Sequence, residues 1–202
     1  MTRLLNIIIF LLAGTLFTLI VLNTIQRRPL IHPAGMIAPD DPIQEDLKDQ
    51  DIILRDDFRI TKLARFEITA RILSFKRYRF DGGAALSPLD LALGWGPMSD
   101  QSVVDEITIS QSGRFYCWRA KEYPIPRKDI ERHSANMHLI PANNAVEDAW
   151  EKLRIGEVVS IQGYLVRADG PQGWHWKTSL TRKDTGSGAC ELVWVESFQI
   201  RA

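Results

Sequence analysis

The hydrophobic pattern opens with an unbroken apolar run and changes to short alternating segments after it. From Leu4 to Ile25 no charged residue appears. At ~1.5 Å rise per residue, such a run covers the ~30 Å hydrocarbon core of a bilayer as one helix. Asn6, Thr15, Thr18 and Asn23 are polar but uncharged, and the two asparagines lie near the ends, within reach of interfacial water. A cleavable signal peptide has a shorter apolar core and ends in a small-x-small site. Asn23-Thr24-Ile25-Gln26-Arg27-Arg28 offers none, and no cysteine directly follows the run for lipoprotein processing. The expectation is an uncleaved single transmembrane helix, in an anchor over residues 1–26, with the lipid bilayer as partner of residues 4–25.

Residues 27–50 bring Pro29, Pro33, Pro39 and Pro42, then Asp40, Asp41, Glu45, Asp46 and Asp49. Proline fixes φ and removes a backbone donor, so this Pro-rich acidic segment reads as an extended, irregular tether that spaces the domain from the bilayer. Residues 51–202 form the soluble domain, which is expected to fold without what precedes it. Within it Phe66, Ile68, Ala70 and Ile72 alternate with Glu67, Thr69 and Arg71, the period of a half-buried strand. The phase shifts at Leu73 and Phe75, which predicts a bulge. Ser87-Pro88-Leu89-Asp90 predicts a helix start with Gly94 as its stop. Ile107–Ile109 and Phe115–Trp118, about a turn at Gln111-Ser112-Gly113, predict a hairpin. A helix is expected over 144–155, with Val146, Ala149, Trp150 and Leu153 as its apolar stripe and Gly156 as its end. Strands follow over 158–167, 174–180 and 189–200. The sum is an α+β domain with a mostly antiparallel sheet, OB-like at its C-terminal end.

Charge narrows the function. Lys and Arg total 25, as do Asp and Glu. A net charge of zero argues against a nucleic-acid binder, which needs an electropositive face to displace counterions; the run Phe75–Phe80, where Lys76, Arg77 and Arg79 interleave with aromatics, reads as an exposed strand. Cys117 and Cys190 match no zinc spacing and form no C-x-x-C pair, and each sits in an apolar run as a small hydrophobe. No cofactor is implied. His138 and His175 lack an informative metal-ligand spacing, so no metal site is expected.

Asp184-Thr185-Gly186-Ser187 has the form of an aspartic-protease turn, but Arg182 and Lys183 precede it in place of an apolar strand and no second copy exists. It reads as a polar hairpin turn. Cys190 with His133, His138 or His175 would pair a thiol with a base, but a reactive thiol needs exposure and an electropositive setting. In the strand from Trp174 the tryptophans and Leu180 point one way and His175, Lys177, Ser179 and Thr181 the other. That polar face, with Arg182, Asp184 and Glu191 at its rim, gives the candidate binding residues: His175, Lys177, Arg182, Asp184 and Glu191.

The segments Ala135–Ala142, Ser179–Arg182 and Asp184–Glu191 resemble the recurring segments of an uncharacterised bacterial family of membrane-anchored proteins. The resemblance implies a bacterial envelope setting and brings no activity with it. The positive-inside rule barely discriminates between Arg3 and the Arg27-Arg28 pair. The short N-terminal tail is that of ordinary signal-anchors, so the expected location is the inner membrane with the domain periplasmic. The expected function is a binding or scaffold domain of an envelope assembly, with a protein partner. The alternative is an envelope hydrolase with a thiol or carboxylate centre around Cys190, His175 and Asp184.

Overall fold

A computed structural model describes residues 14–15, 28–181 and 189–201. The segment expected to be an anchor lies outside these residues except for Gly14 and Thr15, and among the described residues no helix is long and apolar enough to cross a membrane. Among the described residues ten strands make up the domain: β1 (Ile43–Asp46), β2 (Ile52–Arg55), β3 (Phe58–Arg77), β4 (Leu89–Gly94), β5 (Ile107–Ser112), β6 (Phe115–Ala120), β7 (Ser134–Pro141), β8 (Val158–Asp169), β9 (His175–Lys177) and β10 (Glu191–Arg201). Three short α-helices interrupt them, α1 (Gln101–Val104), α2 (Arg127–Arg132) and α3 (Asn144–Ala149), with 3-10 turns at Gly96–Ser99 and Pro171–Gly173.

The twenty residues of β3 organise everything else. One edge pairs with β8 along most of its length; the other pairs in turn with β2, β1 and β4. Since β4 pairs with β7, β7 with β10 and β10 with β8, the ring of pairings β3–β4–β7–β10–β8 closes on itself. The register shift between Ile72 and Ser74 is the bulge that the change of phase at Leu73 predicts. Closure fills the interior with Phe66, Ile68, Ile72, Leu91, Leu93, Met137, Ile161 and Val193, and Trp95 and Trp150 pack against them.

These pairings correct the expected fold class. The domain is predominantly β and not α+β, because its helices are single turns or little more. The sheet is mixed and not mostly antiparallel, because β7 and β10 run parallel. Closure spans Phe58 to Arg201, which replaces the OB-like expectation for the C-terminal end alone. Residues 89–94 form a strand in place of the expected helix: every one is buried, between β3 and β7, and a run buried on both faces shows no strand alternation. The helix expected over 144–155 ends at Ala149. Val146, Trp150 and Leu153 still turn inward, since the stripe continues through the following turn. Trp150→Ala is expected to cost about 3–5 kcal/mol, the range for emptying a buried aromatic site. Glu151→Ala, on an exposed neighbour, is expected to stay within about 0.5 kcal/mol. Chemical denaturation of the two variants checks the pair.

The segment read as a tether packs on the barrel. Leu30 N–H donates to Ile155 O at 2.8 Å, His32 N–H to Gln101 Oε1 at 3.0 Å, and the His32 ring to Gly156 O at 2.7 Å. Gly35 N–H donates to Asp100, and Ile37 and Ala38 N–H share Ser99 Oγ. Gly96 N–H returns to Ala38 O, and Trp95 Nε1 donates to Asp41. Gly156 is required here: its φ is +92°, and a Cβ would fall 2.1 Å from Leu30 O.

Candidate functional site

Two groups of polar side chains stand out, one sealed and one open. The sealed group begins with Asp90, an ionisable residue inside the apolar strand β4. It is fully buried and lies directly across from His138 of β7, so both side chains leave the sheet on its outer face. His138 Nδ1 lies 2.9 Å from Asp90 Oδ1, an ion-pair distance whose angles are not those of a hydrogen bond. The imidazole packs against Trp176 with ring centres 4.4 Å apart and the planes tilted by 49°.

The counter-charge comes from the β5–β6 hairpin. Its two-residue turn is Gly113-Arg114, both at positive φ (56° and 71°), the backbone that hairpin twist demands. That turn aims Arg114 at the barrel. Nη1 donates to Asp90 Oδ1 at 2.8 Å and to Ser87 O at 2.9 Å, and Nε and Nη2 grip both oxygens of Asp81 at 2.8 and 2.7 Å. The guanidinium also lies 3.7 Å from the centre of the Tyr78 ring. Asn136 ties the same hairpin down, donating to Arg114 O and accepting from Gln111.

Burial works against the Arg114 charge, but the hydrogen bonds and charges of Asp81 and Asp90 outweigh it and raise its pKa above the ordinary value. The Arg114 hydrogen bonds hold the Asp81 carboxyl below its usual 3.8. A carboxylate with a depressed folded-state pKa contributes stability that is fully present above the unfolded pKa and is lost as pH falls through the folded one. The melting temperature is therefore expected to fall as the pH drops below about 4. Asp81→Asn should melt lower at neutral pH and show a shallower acid limb; identical acid limbs would contradict the assignment.

What this group can do chemically follows from its burial. Asp90 and His138 are 0% and 2% exposed, so no substrate reaches them without the hairpin lifting. The arrangement is a clamp that fixes the hairpin on the barrel.

The open group lies at the far end of β3 and β8, where the sheet extends beyond the barrel as β2–β3–β8–β9. Two cross-strand rows cover its outer face: Leu54, Arg59, Asp169 and His175, and beside them Ile52, Thr61, Arg167 and Lys177. Ile53, Ile60, Ala168 and Trp176 alternate with them and pack inward. Arg167 spends its guanidinium on Asp169, at 2.6 Å. Arg59 and Lys177 make no ion pair among the described residues, and Leu54 is 80% exposed.

His175 and Lys177 thus stand together on an exposed face. Glu191 does not join them: it is buried at the start of β10, paired with Met137 on the barrel's inner side. Arg182 and Asp184 lie outside the described residues. Both cysteines are thiols. Cys117 is exposed on the hairpin, not buried as its apolar run suggested, and Cys190 lies 3.9 Å from Asn136. Among the described residues the His175 ring hydrogen-bonds only Gly173 O. Sequence reasoning missed Asp90, Arg114, Arg59 and Arg167. The available signals were an acid inside an apolar run, and an arginine following glycine at a hairpin tip. Comparison with protein-family models, curated proteins and solved structures found no match.

Proposed function

We propose that this protein is a membrane-anchored recognition or scaffold subunit of a bacterial envelope assembly, with its domain on the periplasmic side of the inner membrane. The protein partner docks on the outer face of β2–β3–β8–β9. The observation behind this reading is the division between the two polar groups. Asp90 and His138 are buried in the barrel and Arg114 is spent on holding the hairpin to it, while the open face offers side chains to solvent in two ordered rows. Within the two described rows Arg59, Arg167 and Lys177 stand beside a single carboxylate, Asp169, and Ile52 and Leu54 supply apolar contact beside them. Such a surface suits an acidic partner with an apolar anchor. β9 has no strand on its outer side in the described sheet, so an extended partner segment can add there by backbone pairing.

Position supports the same reading. β8 starts at Val158, beside the docked segment that follows the anchor, and ends at Asp169 in the open face. Its twelve residues span about 36 Å at ~3.3 Å each, so the face stands away from the point where the chain arrives. Arg59→Glu with Lys177→Glu in the full chain is expected to weaken capture of the partner from detergent at least tenfold, with melting unchanged. Cys190→Ser is expected to leave capture and phenotype intact. Loss of phenotype on Cys190→Ser, with capture intact and the charge reversals silent, would favour the hydrolase instead.

A further inference from the structure

We propose that a groove at the chain-entry pole of the barrel holds the headgroup phosphate of an anionic phospholipid, an inference that rests on the reading of residues 4–25 as a membrane anchor. The groove has a volume of about 500 Å³ and runs between the docked segment and the ends of β8 and β10. Leu30, Val158 and Ile200 form apolar walls, and Arg154 and Arg201 bring cations to them. Glu157 is the one lining carboxylate, and it is already engaged by the backbone N–H and Nε of Arg154. Arg201 uses only Nε, on Ser160 Oγ at 2.7 Å. The terminal nitrogens of both guanidiniums therefore make no hydrogen bond among the described residues, and such paired donors match a phosphate.

The occupant follows from where the chain comes from. Leu30 lies five residues beyond Ile25, the last residue of the apolar run. Five residues reach at most roughly 18 Å when fully extended, so a groove that Leu30 lines cannot stand far from the bilayer surface. Exposed apolar side chains mark the same pole: Ile31 is 74% exposed, Ile155 37% and Ile200 40%. Arg28, also exposed, adds a cation two residues before Leu30. A cationic groove with apolar walls at an anionic bilayer takes the lipid it sits on, phosphate toward the arginines and glycerol toward the apolar walls.

The test uses the full chain released for native mass spectrometry from micelles holding equal phosphatidylglycerol and phosphatidylcholine. Preferential retention of phosphatidylglycerol is expected, and Arg201→Glu should lower that preference by roughly fivefold or more. Arg154→Gln, on the other side of the groove, should act in the same direction. Hydrogen exchange of the unaltered chain in nanodiscs reads the site without any variant: residues 28–37 should be protected by phosphatidylglycerol and not by phosphatidylcholine. Equal retention and equal exchange would overturn the proposal. So would displacement of the lipid by inorganic phosphate, which would name free phosphate as the ligand. Release of the chain from membranes by carbonate would instead overturn the anchor reading, whereas a carbonate-resistant chain indifferent to headgroup overturns only the groove.

Discussion

Arg114→Ala is expected to destabilise the domain by roughly 4–6 kcal/mol, enough to unfold many single domains or leave them marginal. The effect comes less from lost attraction than from what is left behind. Asp90 is fully buried and Arg114 is the permanent cation beside it. Removing the guanidinium leaves a carboxylate buried in the fold without its cation. It also frees Asp81, leaves Ser87 O without its donor and uncovers the Tyr78 ring. Asp90→Asn in the same chain should recover part of the loss, because a neutral amide is far less costly to bury than an unpaired charge. Arg114→Lys should not, since a single ammonium cannot reach Asp81, Asp90 and Ser87 together. Chemical denaturation of the three variants measures these differences. An Arg114→Ala change costing under about 1 kcal/mol would show that the hairpin is held elsewhere.

A chain beginning at Asp51 is expected to fold poorly or not at all, against the sequence-based expectation that the domain needs nothing before that residue. It loses β1 and its ladder on β3, and every hydrogen bond that residues 30–41 make with Gln101, Ser99, Asp100, Gly156, Ile155 and Trp95. At ~0.5–1.5 kcal/mol each, these bonds together amount to roughly 5–10 kcal/mol, comparable with the whole stability of a typical domain. A chain beginning at Arg28 retains all of them and should melt cooperatively. Circular dichroism melts of the two chains decide. Equal transitions would show that the docked segment contributes nothing to the fold.

What could be read in the sequence was local. Period-two alternation in 66–72 and the break at Leu73 report on their own neighbours and mark features of β3; the hairpin is legible too, although its turn falls at Gly113-Arg114 and not at 111–113, since Gln111 and Ser112 complete β5. Segments whose surroundings decide their state could not be read. Residues 89–94 carry a helix-start signal at Ser87-Pro88, but burial between two long strands overrides that weak local preference. The prolines of residues 29–42 do make that stretch irregular; nothing within it announces that its amides meet acceptors as distant in sequence as Ser99 and Ile155. The open face was half legible. The alternation from Trp174 singles out His175 and Lys177, but Arg59 and Arg167 join them only through strand register. Glu191 is expected at the rim of that polar face, yet parallel pairing with β7 turns it inward.

Site-specific photocrosslinking in living cells tests the central claim most directly. A photoreactive residue is placed at Leu54 or Lys177 on the open face, or at exposed Lys121 beyond the hairpin as a control. The account predicts one adduct of the same mass at Leu54 and Lys177, none at Lys121, and its disappearance when Arg59 is changed to Glu. No adduct at either face position, or the same adducts at all three, would contradict it.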